Sequence, residues 1–197
     1  MKRTFAPLLV LAVTLPALSQ SAPPQGTGRI GEYSVHFNPG KFRAELLSKT
    51  KMRGILTAVG IGVVRISTTD RDIRAGKIVM DAEQRGPKKE TVMTEATLIG
   101  KVYVHLVQVA KDGAKYVYTV TCDNAVFKAG AKPKTGRLEF SGNAHLIADT
   151  PLISQDMDCT KGSLDLGDPD DPLKTPVLEL ENGGTTGTLK PPVEKKK

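Results

Sequence analysis

The chain's three histidines, two cysteines and clustered carboxylates are the side chains best equipped for chemistry. His36, His105 and His145 lie far apart, each among residues that read as strand, and His105 and His145 fall on the polar phase of their segments. They form neither an acid–base pair nor a metal-ligand set, so exposed strand positions are expected. Gly60-Ile-Gly62 opens like a dinucleotide fingerprint, but the third glycine would fall at Arg65, so the phosphate cradle is incomplete. Asp165, Asp168, Asp170 and Asp171 could offer oxygens to calcium, which takes about 6–8 of them. Their spacing is not that of an EF-hand loop, and Pro169 and Pro172 restrict the wrap, so a solvated turn is expected. No catalytic residue, metal site or cofactor is expected.

Two further groups stay open. Cys122 and Cys159 are an even pair, which in a secreted chain is consistent with a disulfide. The repeat described below puts the equivalent of Cys122 near Gln155, about 13 Å of strand from Cys159. Bridged Cα atoms lie within about 7 Å, so either the repeat slips or the thiols stay apart. Lys41, Arg43, Lys49, Lys51 and Arg53 crowd one stretch. Such cations can pair with phosphate oxygens, although a solvated turn is the plainer reading.

The elements that must position these residues read as strands. Three segments align on a glycine: Leu56 to Ile66 on Gly60, Ala96 to Leu106 on Gly100, and Leu138 to Leu146 on Gly142, with glycines 40 and 42 residues apart. A glycine inside a strand marks a bulge, a bend or a close backbone approach. Ile73 to Met80 and Tyr116 to Phe127 read as the strands that precede the second and third glycines. Tyr33 to Phe37 opens an incomplete first unit, and Leu152 to Leu166 closes a shortened last one. Leu98, Val102, Val104 and Leu106 alternate with polar neighbours, as do Leu138, Phe140, Ala144, Leu146 and Ala148. That period of two is the mark of a sheet with one buried face. Lys41 to Arg53 reads either as a short helix or as a basic turn. Val177 to Leu180 reads as an edge strand.

Composition narrows the class. Of 197 residues 39% are hydrophobic and 25% charged, with nine aromatics and no Trp, so the core must be built from Val, Ile, Leu and Ala. The net charge of +7 sits mostly at the ends; Lys2, Arg3 and the last eight residues remove five charges, leaving +2 for the body. A nucleic-acid binder carries its excess on a folded face, so no nucleic-acid partner is expected. Residues 1–19 have the grammar of a secretory signal peptide, a basic start and an apolar run ending in Ala17-Leu18-Ser19. An uncleaved membrane anchor is the alternative. The expected organisation is signal peptide 1–19, linker 20–31, an all-β domain 32–168 and a Pro/Gly/Lys-rich tail 169–197.

Asp72 to Asp81 and Val120 to Phe127 look like the "I-x-A-D-x-A" strands, and Leu98-Ile-Gly-Lys-Val102 and Phe140-Ser-Gly-Asn-Ala144 like the "L-x-G-N-V" strands, of one family. Over residues 32–168 the chain thereby resembles the OstA-like family of lipopolysaccharide-transport proteins, of the LptA, LptC and LptD N-terminal type. Lys101 and Ala144 depart from its pattern.

The resemblance implies repeated antiparallel hairpins in an elongated, partly open β-jelly roll, a β-taco whose apolar trough holds acyl chains. Leu98, Val102, Val104, Leu106, Phe140, Ala144 and Leu146 would line that trough, and Lys41, Arg43, Lys49, Lys51 and Arg53 would meet lipid phosphates at its entrance. The implied partners are lipopolysaccharide or a related glycolipid, and other OstA-like domains joined by edge-strand pairing. The implied setting is the periplasm and outer-membrane biogenesis, with no enzymatic activity. A non-lipid scaffold or adhesion module of the cell envelope is the alternative.

Overall fold

The computed structural model describes residues 26–86, 90–132, 134–171, 174, 176–181 and 183–189. The signal segment 1–19, the first half of the linker and the lysine-rich end from 190 lie outside them. The described residues form eleven strands and no helix: β1 Gly26–Ile30, β2 Tyr33–Leu46, β3 Lys51–Ser67, β4 Arg71–Ala75, β5 Lys77–Arg85, β6 Glu90–Val109, β7 Lys115–Ala129, β8 Gly136–Asp149, β9 Ile153–Asp165, β10 Val177–Glu181 and β11 Gly184–Leu189. All pair antiparallel in one sheet, largely in chain order. β4 and β5 act as one interrupted strand between β3 and β6, and β10 and β11 both pair β9.

A line of irregularity crosses this sheet. Pairing slips between Asn38 and Gly40 on β2, skips 59–62 on β3, breaks at Gly76 between β4 and β5, and slips again between Ile99 and Val102, between Thr121 and Asn124, and between Ser141 and Ala144. Gly60, Gly100 and Gly142 stand there with φ of +67°, +73° and +77°, a conformation open to glycine because it lacks Cβ. The three aligned glycines are thus the bulges that the sequence implied. A bulge bends its strand, and bulges in successive strands bend the whole sheet along one crease.

Creasing gives two walls. The upper carries β1, β4, the first part of β2 and 63–67, 102–109, 115–121, 144–149 and 153–159; the lower carries β5, 40–46, 51–58, 90–99, 124–129, 136–141 and 161–165. Inward residues form ladders across each. In the upper wall Val35, Ile66, Ile73, Val104, Val120, Leu146 and Met157 pair in sequence. In the lower, Leu56, Ile78, Leu98, Ala125 and Phe140 do the same. At about 4.8 Å per strand the seven-membered ladder runs roughly 29 Å. A single sheet without helices can bury its inner face only against itself. Phe127, Phe140, Leu98, Leu138 and Leu146 are at most 2% exposed, each burial stabilising by roughly 1.5–3 kcal/mol.

Three expectations change. Lys41 to Arg53 is a hairpin, β2 to β3 with a turn at 47–50; Phe42 packs against the core, as a strand residue facing Leu56. The sheet exceeds 32–168: β1 lies in the expected linker and β11 in the expected tail, beyond the edge strand expected at Val177 to Leu180, which forms as β10; β9 offers one half to each of β10 and β11. Ile73 to Met80 is two strands, split at Gly76, whose amide donates to the Gly100 carbonyl.

Candidate functional site

Leu98, Val102, Val104, Leu106, Phe140, Ala144 and Leu146 all face inward, and none is more than 3% exposed. They belong to one buried apolar cluster that draws on both walls, so the apolar surface is an interior between walls. Strands cross it at right angles to its length, and its mouth is where the wall ends meet. Ile30 of the upper wall approaches Gly54 of the lower, where an added Cβ would lie 3.4 Å from its side chain.

One half of the mouth is a cavity of about 480 Å³ between Gly31–Tyr33 and Arg71 on one side and Thr91–Met93 and Gly130–Lys132 on the other. Arg71 Nη1 donates to the Tyr33 hydroxyl at 2.6 Å, and its guanidinium carbon lies 5.4 Å from the Phe127 ring centroid. Lys134 approaches Asp70 at 3.9 Å across the same gap. Among the described residues Arg71 has no carboxylate partner, which leaves its charge at the edge of the apolar interior.

The other half is crossed by a strap, 166–171. The Leu166 amide donates to Gly136 on the lower wall, and the Lys111 amide of the upper wall donates to Pro169. Asp168 is 7% exposed rather than solvated, as the turn was expected to be, because Lys132 Nζ reaches its Oδ2 at 2.6 Å and the Asp170 amide caps Oδ1. The Lys132 ammonium holds this carboxyl below the usual range. Under the strap lies a cavity of about 390 Å³. Gln108 lines it, 6% exposed, with Oε1 and Nε2 both buried and without a hydrogen-bond partner among the described residues.

The basic stretch does not reach either cavity. Arg53 binds Asp81 through two bonds of 2.7 and 2.8 Å, Arg43 meets Glu45 at 2.9 Å, and Lys51 meets Glu83 at 4.0 Å. Among the described residues, only Lys41 and Lys49 of the five are left without a carboxylate; Leu46 and Leu47 near the hairpin tip are exposed. Three of these five cations thus have carboxylate neighbours, while Arg71, which the sequence did not single out, lines the cavity at the mouth.

The cysteines are free. Ala144 pairs Cys159, and Cys122 follows Thr121, which pairs His145; the two thiols therefore flank Ala144 from strands two apart. Two strand spacings come to about 9.6 Å, beyond bridging reach. His145 lies outside, 2.8 Å from Asp158, and His105 Nδ1 lies 3.0 Å from the Thr119 hydroxyl. No group of metal-ligating side chains occurs among the described residues. Compared with protein-family models, with characterised proteins and with solved structures, the chain matches none.

Proposed function

We propose that the protein binds acyl chains of an envelope amphiphile between its two walls, in the manner of the OstA-like lipopolysaccharide-transport proteins that its motifs resemble. The observation that carries this reading is the pair of inward apolar ladders facing each other along one crease, with the cation Arg71, without a carboxylate partner among the described residues, at the mouth. A chain entering there gains about 0.8 kcal/mol per buried methylene. Separating the walls breaks few polar bonds, since the ladders lie within each wall; what spans the mouth is Arg71 over Phe127, Lys134 with Asp70, and the strap. An anionic headgroup would remain beside Arg71.

Edge pairing with a second copy extends the reading. The outer side of 40–46 in β2 and the outer sides of β10 and β11 carry no strand among the described residues. An unpaired edge accepts another chain's strand through main-chain hydrogen bonds. The N-terminal segment would direct the chain to the periplasm.

The rival reading is a dry envelope scaffold, favoured by the near-complete burial of both ladders. A photoreactive phenylalanine analogue at Phe140 separates the two. Acyl-chain binding predicts ultraviolet-dependent crosslinks to lipid, identified by mass spectrometry after isolation from native envelopes. Crosslinks to protein alone would overturn it in favour of the scaffold.

A further inference from the structure

Gln108 ends the inward row Val102, Val104, Leu106, Gln108 on β6. An isolated buried carboxamide there is costly, because a donor and an acceptor are left unpaired in an apolar setting. Leucine in its place would avoid that cost. Around it the strand pairing gathers other polar tips. Tyr116 pairs Gln108 directly and so shares its face, and Tyr118 stands inward one step along, opposite Leu106. Neither tyrosine hydroxyl has a hydrogen-bond partner among the described residues. Apolar residues deeper in the row, polar tips at its end and a cavity above them form a graded site.

We infer that this end of the interior recognises the linker of an amphiphile and selects amide-linked over ester-linked acyl chains. The inference rests on the acyl-chain reading above. Its chemistry is that of the carboxamide, which presents one acceptor and one donor group. An ester offers acceptors only, so Nε2 would be satisfied and Oε1 would stay orphaned. An amide N–H donates to Oε1, and its carbonyl accepts from a neighbouring hydroxyl or from Nε2. The apolar chain then runs along Leu106, Val104 and Val102, while the headgroup lies back towards Arg71, which pairs with Leu106 across the strands.

The test uses the full chain and two probes that differ by N–H for O, N-methyldodecanamide and methyl dodecanoate, each displacing the dye 1-N-phenylnaphthylamine. One recovered hydrogen bond corresponds to roughly fivefold to tenfold in affinity, so the amide should displace the dye at a concentration lower by about that factor. In Gln108→Leu, which keeps the packing and removes the orphan, the two probes should become equal while the ester binds at least as well as before. Equal affinities in the wild type, or a preference that survives in Gln108→Leu, would overturn the inference and leave acyl-chain binding standing. If neither probe displaces the dye from the wild type, the acyl-chain reading falls with it.

Discussion

Arg71 and Phe127 belong to opposite walls of the creased sheet, and the guanidinium of one lies over the ring of the other with 5.4 Å between carbon and centroid. Phe127 is 1% exposed, so the cation forms part of the lid on its ring. Such a contact contributes about 0.5–2 kcal/mol depending on desolvation. The hydrogen bond to Tyr33 adds about 1 kcal/mol. Arg71→Leu is expected to lower unfolding stability by about 1–2 kcal/mol in urea titration, with Arg71→Lys closer to wild type. On the proposed function, Arg71→Leu also weakens binding of an anionic amphiphile more than of a neutral one. Equal weakening of both would remove Arg71 from headgroup recognition.

The crease predicts a graded series of glycine substitutions. At Gly100 an added Cβ meets nothing within 4 Å, so Gly100→Ala carries only the left-handed backbone cost of about 1–2 kcal/mol. At Gly142 the same Cβ would lie 2.6 Å from the Asp123 carboxylate, which also holds the Asn143 amide. Gly142→Ala should therefore be the more damaging of the two. Truncating Asp123 to Ala should restore part of the Gly142→Ala loss and none of the Gly100→Ala loss. A double-mutant cycle in urea measures both.

Parity in the sequence located the inner faces of β6 and β8 because every even position of Leu98–Leu106 and Leu138–Ala148 is apolar or glycine. β7 did not yield in the same way. Cys122 and Ala125 both face inward while Asp123 and Asn124 both face out, a slip fixed by the bulge on the neighbouring strand and invisible in β7 alone. The β2–β3 hairpin was hidden because its tip is all Leu, Ser, Thr and Lys and lacks alternation. Gln108 continues the even phase of Val102 to Leu106, so a polar residue at an inward position was there to be noticed. Arg71 was not legible at all; its role depends on a ring from the other wall, 56 residues along the chain.

The thiols give a direct chemical check on register. Burial pushes the Cys122 thiol up to about 11, and burial raises Cys159 as well. Reactivity follows the thiolate, so iodoacetamide at neutral pH should label neither cysteine in the folded protein. In denaturant, with no reductant present, both should label, adding two alkyl groups by mass. A native protein that takes up none even when denatured would contain the disulfide that the register forbids.

Acid should loosen the strap before it melts the sheet. Asp168 has its carboxyl lowered by the hydrogen bond from Lys132, then by the Asp170 amide. A group whose value is lower folded than unfolded contributes stability above its unfolded value, about 3.9 for Asp, and that contribution fades as pH falls through the folded value. Stabilisation by Asp168 is thus complete at neutral pH and goes only below about pH 4. The Lys111 amide bonded to Pro169 and the Asp168 amide bonded to Lys174 report on the strap alone. Their hydrogen-exchange protection, corrected for intrinsic rates, should drop in that acid range while Val104 and Val120 stay protected. In Lys132→Met, which removes the ammonium, both strap amides should be weakly protected already at neutral pH. Strap and ladder amides losing protection together would show that the strap is part of the cooperative core.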